Sequence, residues 1–215
     1  KLANNEKLKK ILTFGNLNSN NYIKKIVKNN KFYIIDLSIN NKTIKIKSKQ
    51  KEIHRLNNLL FIFSFFIQNN INIDIINKNS EKLTPFVGRG RIHNLKINKL
   101  KLKLIDESYN ANPETMEQSI KSFNDLETNN YKKIIILGDM NELGLYTSKY
   151  HDQVLRFIEK FSFHKVILCG KLFKSAIKKL VNPKNKFIYK QNSKQLINYV
   201  KSKIHNNAII MIKCS

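Results

Sequence analysis

Two segments of this sequence concentrate side chains able to do chemistry. The first is Asp106-Glu107-Ser108-Tyr109-Asn110-Ala111-Asn112-Pro113-Glu114. Asn112 suits a helix N-cap, with Pro113 at the first helical position and Glu114 near the positive end of the dipole. Capping does not account for Asp106, Tyr109 and Asn110 together. An aromatic face and two polar groups suit a nucleotide, offering a ring to stack on and acceptors for ribose hydroxyls. The second segment is Gly138-Asp139-Met140-Asn141-Glu142-Leu143-Gly144. Its residue types make a turn, yet the chain has only 6 glycines and two of them bracket this loop. Asp139 and Glu142 could take a cation or an amine. Gly88-Arg89-Gly90-Arg91 holds two of the four arginines in a chain that otherwise uses lysine. Arginine gives planar, bidentate contact to phosphate or carboxylate, although two solvated charges at a domain hinge would read the same way. Lys213-Cys214-Ser215 adds a charge and a hydroxyl.

These residues need a scaffold, and the hydrophobic pattern supplies one. Leu100, Leu102 and Leu104 alternate with lysines into Ile105-Asp106, a strand. Further strands are expected at Lys133–Leu137, Val166–Cys169, Phe187–Tyr189 and Ala208–Ile212. Helices are expected at Glu114–Leu126, Lys149–Phe161, Lys171–Val181 and Ser193–Ile204. Strands alternating with helices predict βαβ units in a mostly parallel sheet, with helices on both faces. Ligands of such sheets bind beyond the carboxyl ends of the strands, where Asp106, Asp139, Gly170 and Lys213 are expected to gather. Before Pro85 the pattern is irregular. It predicts a hairpin of Lys31–Leu37 and Lys42–Ser48 turning at Asn40-Asn41, then a helix over Arg55–Gln68. The Leu83–Gly90 cluster of Pro and Gly is the natural boundary.

Composition limits the function classes. Lys+Arg is 40 against Asp+Glu 15, a net charge of +25. That invites a nucleic-acid partner, but the lysines fall on every exposed position rather than on one face, and Lys, Asn and Ile are residues of AT-rich codons. Two cysteines cannot make a disulfide framework and suit a reducing compartment. The apolar run Leu59–Ile67 is too short to span a membrane, which takes about 20 residues, so it reads as a buried helix. No secretory leader pattern is seen, and a cytoplasmic protein is expected. The chain has no Gly-x4-Gly-Lys-Ser/Thr phosphate loop, no nucleophile elbow and no zinc-finger or RNA-recognition pattern. His54, His93, His151, His164 and His205 have no metal spacing among themselves or with Cys169 and Cys214. The first residue is Lys1 rather than Met and the last apolar run is strand-like, so the sequence reads as a piece of a longer protein.

The run Ile105–Pro113 followed by Leu137–Gly144 resembles the Mur ligases, whose motifs are Asp-Asp/Glu-Ser-Tyr-Asn-Ala-Asn-Pro and Leu-Gly-Asp-Met-x-Glu-Leu-Gly. Leu12-Thr13-Phe14-Gly15, His54-x3-Asn58, Gly88-Arg89, His151 and Lys213-x-Ser215 agree with weaker marks of the family. Cys214 stands where the family has Gly, and Glu52 where a Gly precedes the His. The resemblance implies that residues 1–86 are the C-terminal part of a central α/β ATPase domain and 87–215 a Rossmann-like C-terminal domain. It implies ATP-driven amide formation through an acyl phosphate, with D-Ala-D-Ala joined to UDP-N-acetylmuramoyl-tripeptide for peptidoglycan. It implies ATP contacts at Asn58, Arg89, Asp106 and Tyr109, with Asn58 and Tyr109 on adenine, Asp106 on ribose and Arg89 on ribose or phosphate. Asn110, Asn112, Asp139 and Ser215 fall on the dipeptide side. The phosphate loop and the magnesium-holding lysine lie outside this sequence, so ATP and Mg2+ chemistry needs the rest of the central domain, and the piece alone should be inactive. No nucleic acid or membrane is expected as a partner, and a monomer is expected. The rival readings are a folylpolyglutamate-synthase-like ligase, whose motif lacks the Tyr-Asn-Ala-Asn run, and a basic nucleic-acid-binding module.

Overall fold

The computed structural model describes residues 11–50, 52–97, 100–128, 130–181, 183–185, 187–204 and 206–215. His205, among the histidines weighed for metal binding, lies outside them, as do residues 1–10 of the segment 1–86. The chain divides into two units, Lys1–Thr84 and Pro85–Ser215.

In the first unit β1 (Phe14–Gly15), β2 (Asn21–Asn29), β3 (Phe32–Ile39) and β4 (Lys42–Ser48) form one sheet in that order, antiparallel except for the β1–β2 pair. The turn between β3 and β4 is Asn40-Asn41 with φ of 49° and 62°. Asn tolerates that left-handed conformation, which two-residue hairpins need. Ile35, Leu37, Ile39 and Ile46 pack on Leu56, Leu60 and Phe63 of α1 (Ile53–Gln68), and α2 (Asp74–Ser80) follows. The apolar run Leu59–Ile67 is not wholly buried, as its composition suggested. Leu59, Leu60 and Phe63 face the core, while Phe61 and Phe65 are half-exposed. One helix stripe is wide enough for the core, and the rest of a helix that is apolar all round must look elsewhere.

In the second unit β5 (Arg91–Ile97), β6 (Leu100–Asp106), β7 (Lys132–Gly138), β8 (Lys165–Cys169), β9 (Phe187–Lys190) and β10 (Ala208–Lys213) form one sheet in the order β5-β6-β10-β7-β8-β9. All its pairs are parallel except β5–β6. The connecting helices are α3 (Pro113–Asn124), α4 (Thr147–Ile158) after a 3-10 turn at Gly144–Tyr146, α5 (Lys171–Ile177) and α6 (Ser193–Lys203). From β6 to β9 the chain advances in one direction, so right-handed crossovers place α3, α4 and α5 on one face. There Met116, Ile120, Val154, Leu155 and Phe173 pack on Ile135, Leu137, Leu168 and Met211. The return from β9 to β10 runs the other way and puts α6 on the opposite face, with Leu196 and Val200 against Ile134, Ile136, Ile167 and Ile210. Register aligns Ile212 with Asp106, Lys213 with Leu137, and Gly138 with Cys169, so the carboxyl ends of β6, β10, β7 and β8 share one edge. Among the described residues no helix is long and apolar enough to cross a membrane.

Candidate functional site at the carboxyl edge of the second sheet

β10 lies between β6 and β7, so the loops leaving β6 and β7 diverge on either side of it. A strand order that reverses in this way opens a crevice at the sheet's carboxyl end, and the two chemistry-bearing segments form its lips.

The first lip is built on Asp106, the last residue of β6. Its Oδ1 accepts from the Ser108 amide (3.1 Å) and the Ser108 hydroxyl (2.5 Å), and Oδ2 accepts from the Gly88 amide (3.1 Å). Burial works against the charge, but these Ser108 and Gly88 donors, with His93 nearby, outweigh it and hold the carboxyl below its ordinary range. The Tyr109 amide donates back to the Gly88 carbonyl (3.0 Å). Gly88 has φ +75°, and a Cβ there would lie 3.0–3.2 Å from Tyr109 Cβ, N and Cα, so only glycine lets the incoming chain lie this close. That approach carries Arg89 over Tyr109, with the guanidinium carbon 4.0 Å from the ring centroid. Tyr109 is 64% exposed. A stacked Arg and Tyr beside a carboxylate offer an aromatic face, a cation and an acceptor within one short stretch of surface.

Asn110 and Asn112 lie on the same lip. The Asn110 side chain accepts from the Ala111 amide (2.7 Å). Asn112 Oδ1 accepts from the Thr115 amide (2.9 Å), and Thr115 Oγ1 accepts from the Asn112 amide (3.1 Å), a reciprocal cap of α3. The capping role expected of Asn112 is therefore in place.

The second lip follows β7. Asp139 does not point into open space: Oδ2 accepts from the Leu172 amide and Oδ1 from the Phe173 amide, both at 3.1 Å, satisfying the first turn of α5. Buried His151 accepts from the Met140 amide at Nε2 (3.0 Å), and its Nδ1 lies 2.7 Å from the Thr147 carbonyl. Those partners assign the neutral tautomer protonated at Nδ1. Glu142 is exposed, with φ +59°.

Ser215 joins the lips. Its amide donates to the Asp139 carbonyl (3.3 Å), its hydroxyl donates to the Ala111 carbonyl (3.1 Å), and the Asn141 amide donates to that hydroxyl (3.3 Å). Cys214 keeps an ordinary negative φ. Its Cβ lies 2.5 Å from where a Cβ on Gly138 would stand, so it fills the space glycine leaves on β7. Burial is the main cause pushing the Cys169 and Cys214 thiols up, which keeps them protonated and poorly nucleophilic.

The structure thus gathers Arg89, Asp106, Tyr109, Asn110, Asn112, Asp139 and Ser215 at one sheet edge. Asn58 is an exposed residue of α1 in the first unit. Lys213, which the sequence pointed to as a charge after the last strand and as part of a family mark but to which it gave no ligand role, is buried at the end of β10. The available signal was a lysine closing the otherwise apolar strand Ala208–Ile212.

The family model described as Mur ligase, glutamate ligase domain matches residues 90–215. The chain is 28% identical over 150 residues to the UDP-N-acetylmuramoyl-tripeptide–D-alanyl-D-alanine ligase of Rickettsia prowazekii, covering 66% of this chain and 32% of that one. It is 30% identical over 118 residues to the enzyme of the same name from Bacillus subtilis, covering 53% and 25%. This chain therefore matches about a third or less of those relatives' length. In fold it resembles a MurF ligase from Thermotoga maritima solved in complex with ADP, with a TM-score of 0.73, 18% identity, and 95% of this chain on 45% of that one. A MurF from Acinetobacter baumannii gives a TM-score of 0.75 at 18% identity, over 95% and 43%.

Proposed function

Because the chain belongs to the Mur ligase family, whose members are ATP-dependent amide ligases, we propose that it is the C-terminal part of an enzyme that joins D-Ala-D-Ala to UDP-N-acetylmuramoyl-tripeptide. In this reading residues 1–86 are the end of the central ATP-binding domain and 87–215 the C-terminal domain. The observation that carries it is the Arg89–Tyr109 stack next to Asp106 at the sheet's carboxyl edge. An exposed ring, a guanidinium and a carboxylate fit the base, phosphate and ribose of a nucleotide.

ATP supplies a phosphoryl group that turns the unreactive tripeptide carboxylate into an acyl phosphate, which the dipeptide amine attacks as phosphate leaves. Tyr109 stacks the base. Asp106 Oδ2, with one protein donor, keeps a lone pair for a ribose hydroxyl. Arg89 leaves the ring face for a phosphate, and the family resemblance gives Asn58 as a further nucleotide contact. Asn110, Asn112, Asp139 and Ser215 orient the dipeptide, chiefly through backbone that their side chains hold in place. Such groups act by positioning and by fixed charge rather than by bonding covalently. By the family resemblance, Mg2+ and the phosphate loop belong to a part of the central domain outside this sequence, in a cytoplasmic enzyme.

Folylpolyglutamate synthase shares the fold, as the Thermotoga maritima enzyme does at a TM-score of 0.57 and 15% identity. The Tyr109-Asn110-Ala111-Asn112 run favours the dipeptide ligase. The purified 215-residue chain, given ATP and Mg2+, is expected to release no phosphate above background. Release above background would overturn the assignment of the phosphate chemistry to the missing part.

A further inference from the structure

We propose that Lys213 is a positioning residue for the Tyr109–Asn112 loop, its buried ammonium holding the Asn110 carbonyl and so setting how Tyr109 and Asn110 present their side chains. The Lys213 Nζ donates to the Asn110 carbonyl at 3.0 Å, across 103 residues of sequence. Lys213 is only 3% exposed, level with Ile209 and Met211 on the same face of β10. Lysines are almost never buried this far without a partner that rewards it. Burial pulls its pKa down, against the pull of Glu107. A group whose charged form is disfavoured in the fold adds nothing to stability while charged, and an apolar side chain of the same length would bury at lower cost. The lysine is therefore explained by what its Nζ holds, not by core stability.

What it holds is the middle of a loop. Tyr109 at one end is tied to Gly88, and Asn112 at the other is tied into the α3 cap. Between them the Asn110 carbonyl is taken by Lys213 and the Ala111 carbonyl by Ser215. Two successive carbonyls outside helix and sheet are thus paired by the segment that ends β10. Without Lys213 the Asn110 peptide keeps only the bond from the Ala111 amide to the Asn110 side chain, a local contact that moves with the loop. The hold on the loop stands independently; that the loop faces a ligand rests on the ligase reading.

Residue-resolved amide hydrogen exchange on the whole chain, without nucleotide, tests this apart from the ligase reading. Lys213→Met should speed exchange of the Tyr109 and Ala111 amides at least about ten-fold and leave Ile135 and Ile167, in the sheet centre, within about two-fold. Lys213→Gln, which keeps an N–H donor, should restore most of the loop protection. Unchanged loop exchange in Lys213→Met would overturn the proposal. So would equal acceleration in loop and sheet, a Met variant that does not fold, or a Gln variant no better than Met, since each would make Lys213 either idle or simply part of the core.

Discussion

Replacing Gly170 by alanine is expected to lower the melting temperature of the second unit by on the order of 10 °C. Gly170 precedes α5 with φ 116° and ψ 162°. That region is nearly closed to residues with a Cβ, at a cost of about 1–3 kcal/mol. An alanine Cβ would also stand 2.3 Å from the Asp139 carboxylate. The carboxylate must move, and the Leu172 and Phe173 amides then lose their acceptor, worth about 0.5–2 kcal/mol by analogy with N-caps. The sum, roughly 2–5 kcal/mol, is a large part of an ordinary domain's stability of about 5–15 kcal/mol, and at a few degrees per kcal/mol it gives the expected shift. Gly144→Ala is the control. Gly144 has φ 56° and nothing within 4 Å of a new Cβ, so its cost should be about 1 kcal/mol. Calorimetry of both variants decides: equal losses would show that Asp139 does not brace α5 as described.

Tyr109→Ala, made in the assembled ligase, is expected to raise the Michaelis constant for ATP roughly 5- to 150-fold and to change turnover much less. The base does not react, so stacking on it is about equally strong in the ground and transition states, and such uniform binding appears in the Michaelis constant. The range converts about 1–3 kcal/mol for base–aromatic stacking at about 1.4 kcal/mol per decade. Tyr109→Phe keeps the ring and should cost little. The structure sharpens the alternative. A ring 64% exposed and stacked by Arg89 is poorly placed to be core, so the Ala variant should keep its melting temperature. A lowered melting temperature with an unchanged Michaelis constant would remove Tyr109 from the site.

How far the sequence revealed this arrangement depended on whether the signal was local. The β3–β4 hairpin and the start of α3 were legible because two asparagines at a turn, and Asn112-Pro113 at a helix start, carry their geometry with them. The shared edge was legible because alternating strands and helices leave little freedom in where strand ends lie. β2 was missed: its Lys24-Lys25 step breaks the alternation, and the pairing with β3 shifts between Ile23 and Lys25. β5 was missed because Arg91–Ile97 is a polar edge strand whose antiparallel partner, not its own pattern, makes it a strand. At the site, the residue types after each strand were readable, but their bonds were not. Asp139 reaches α5 across 33 residues and Lys213 reaches Asn110 across 103, and nothing local to either residue encodes its partner.

The most direct measurement places this chain in an assembled enzyme. Substituted for the matching segment of the Bacillus subtilis relative, it should give a hybrid that forms ADP and phosphate in step with joining D-Ala-D-Ala to UDP-N-acetylmuramoyl-tripeptide, the product identified by mass. A folded hybrid that binds ATP yet joins no D-Ala-D-Ala, or that extends a substrate with glutamate instead, while the unaltered relative is active under the same conditions, would contradict the account.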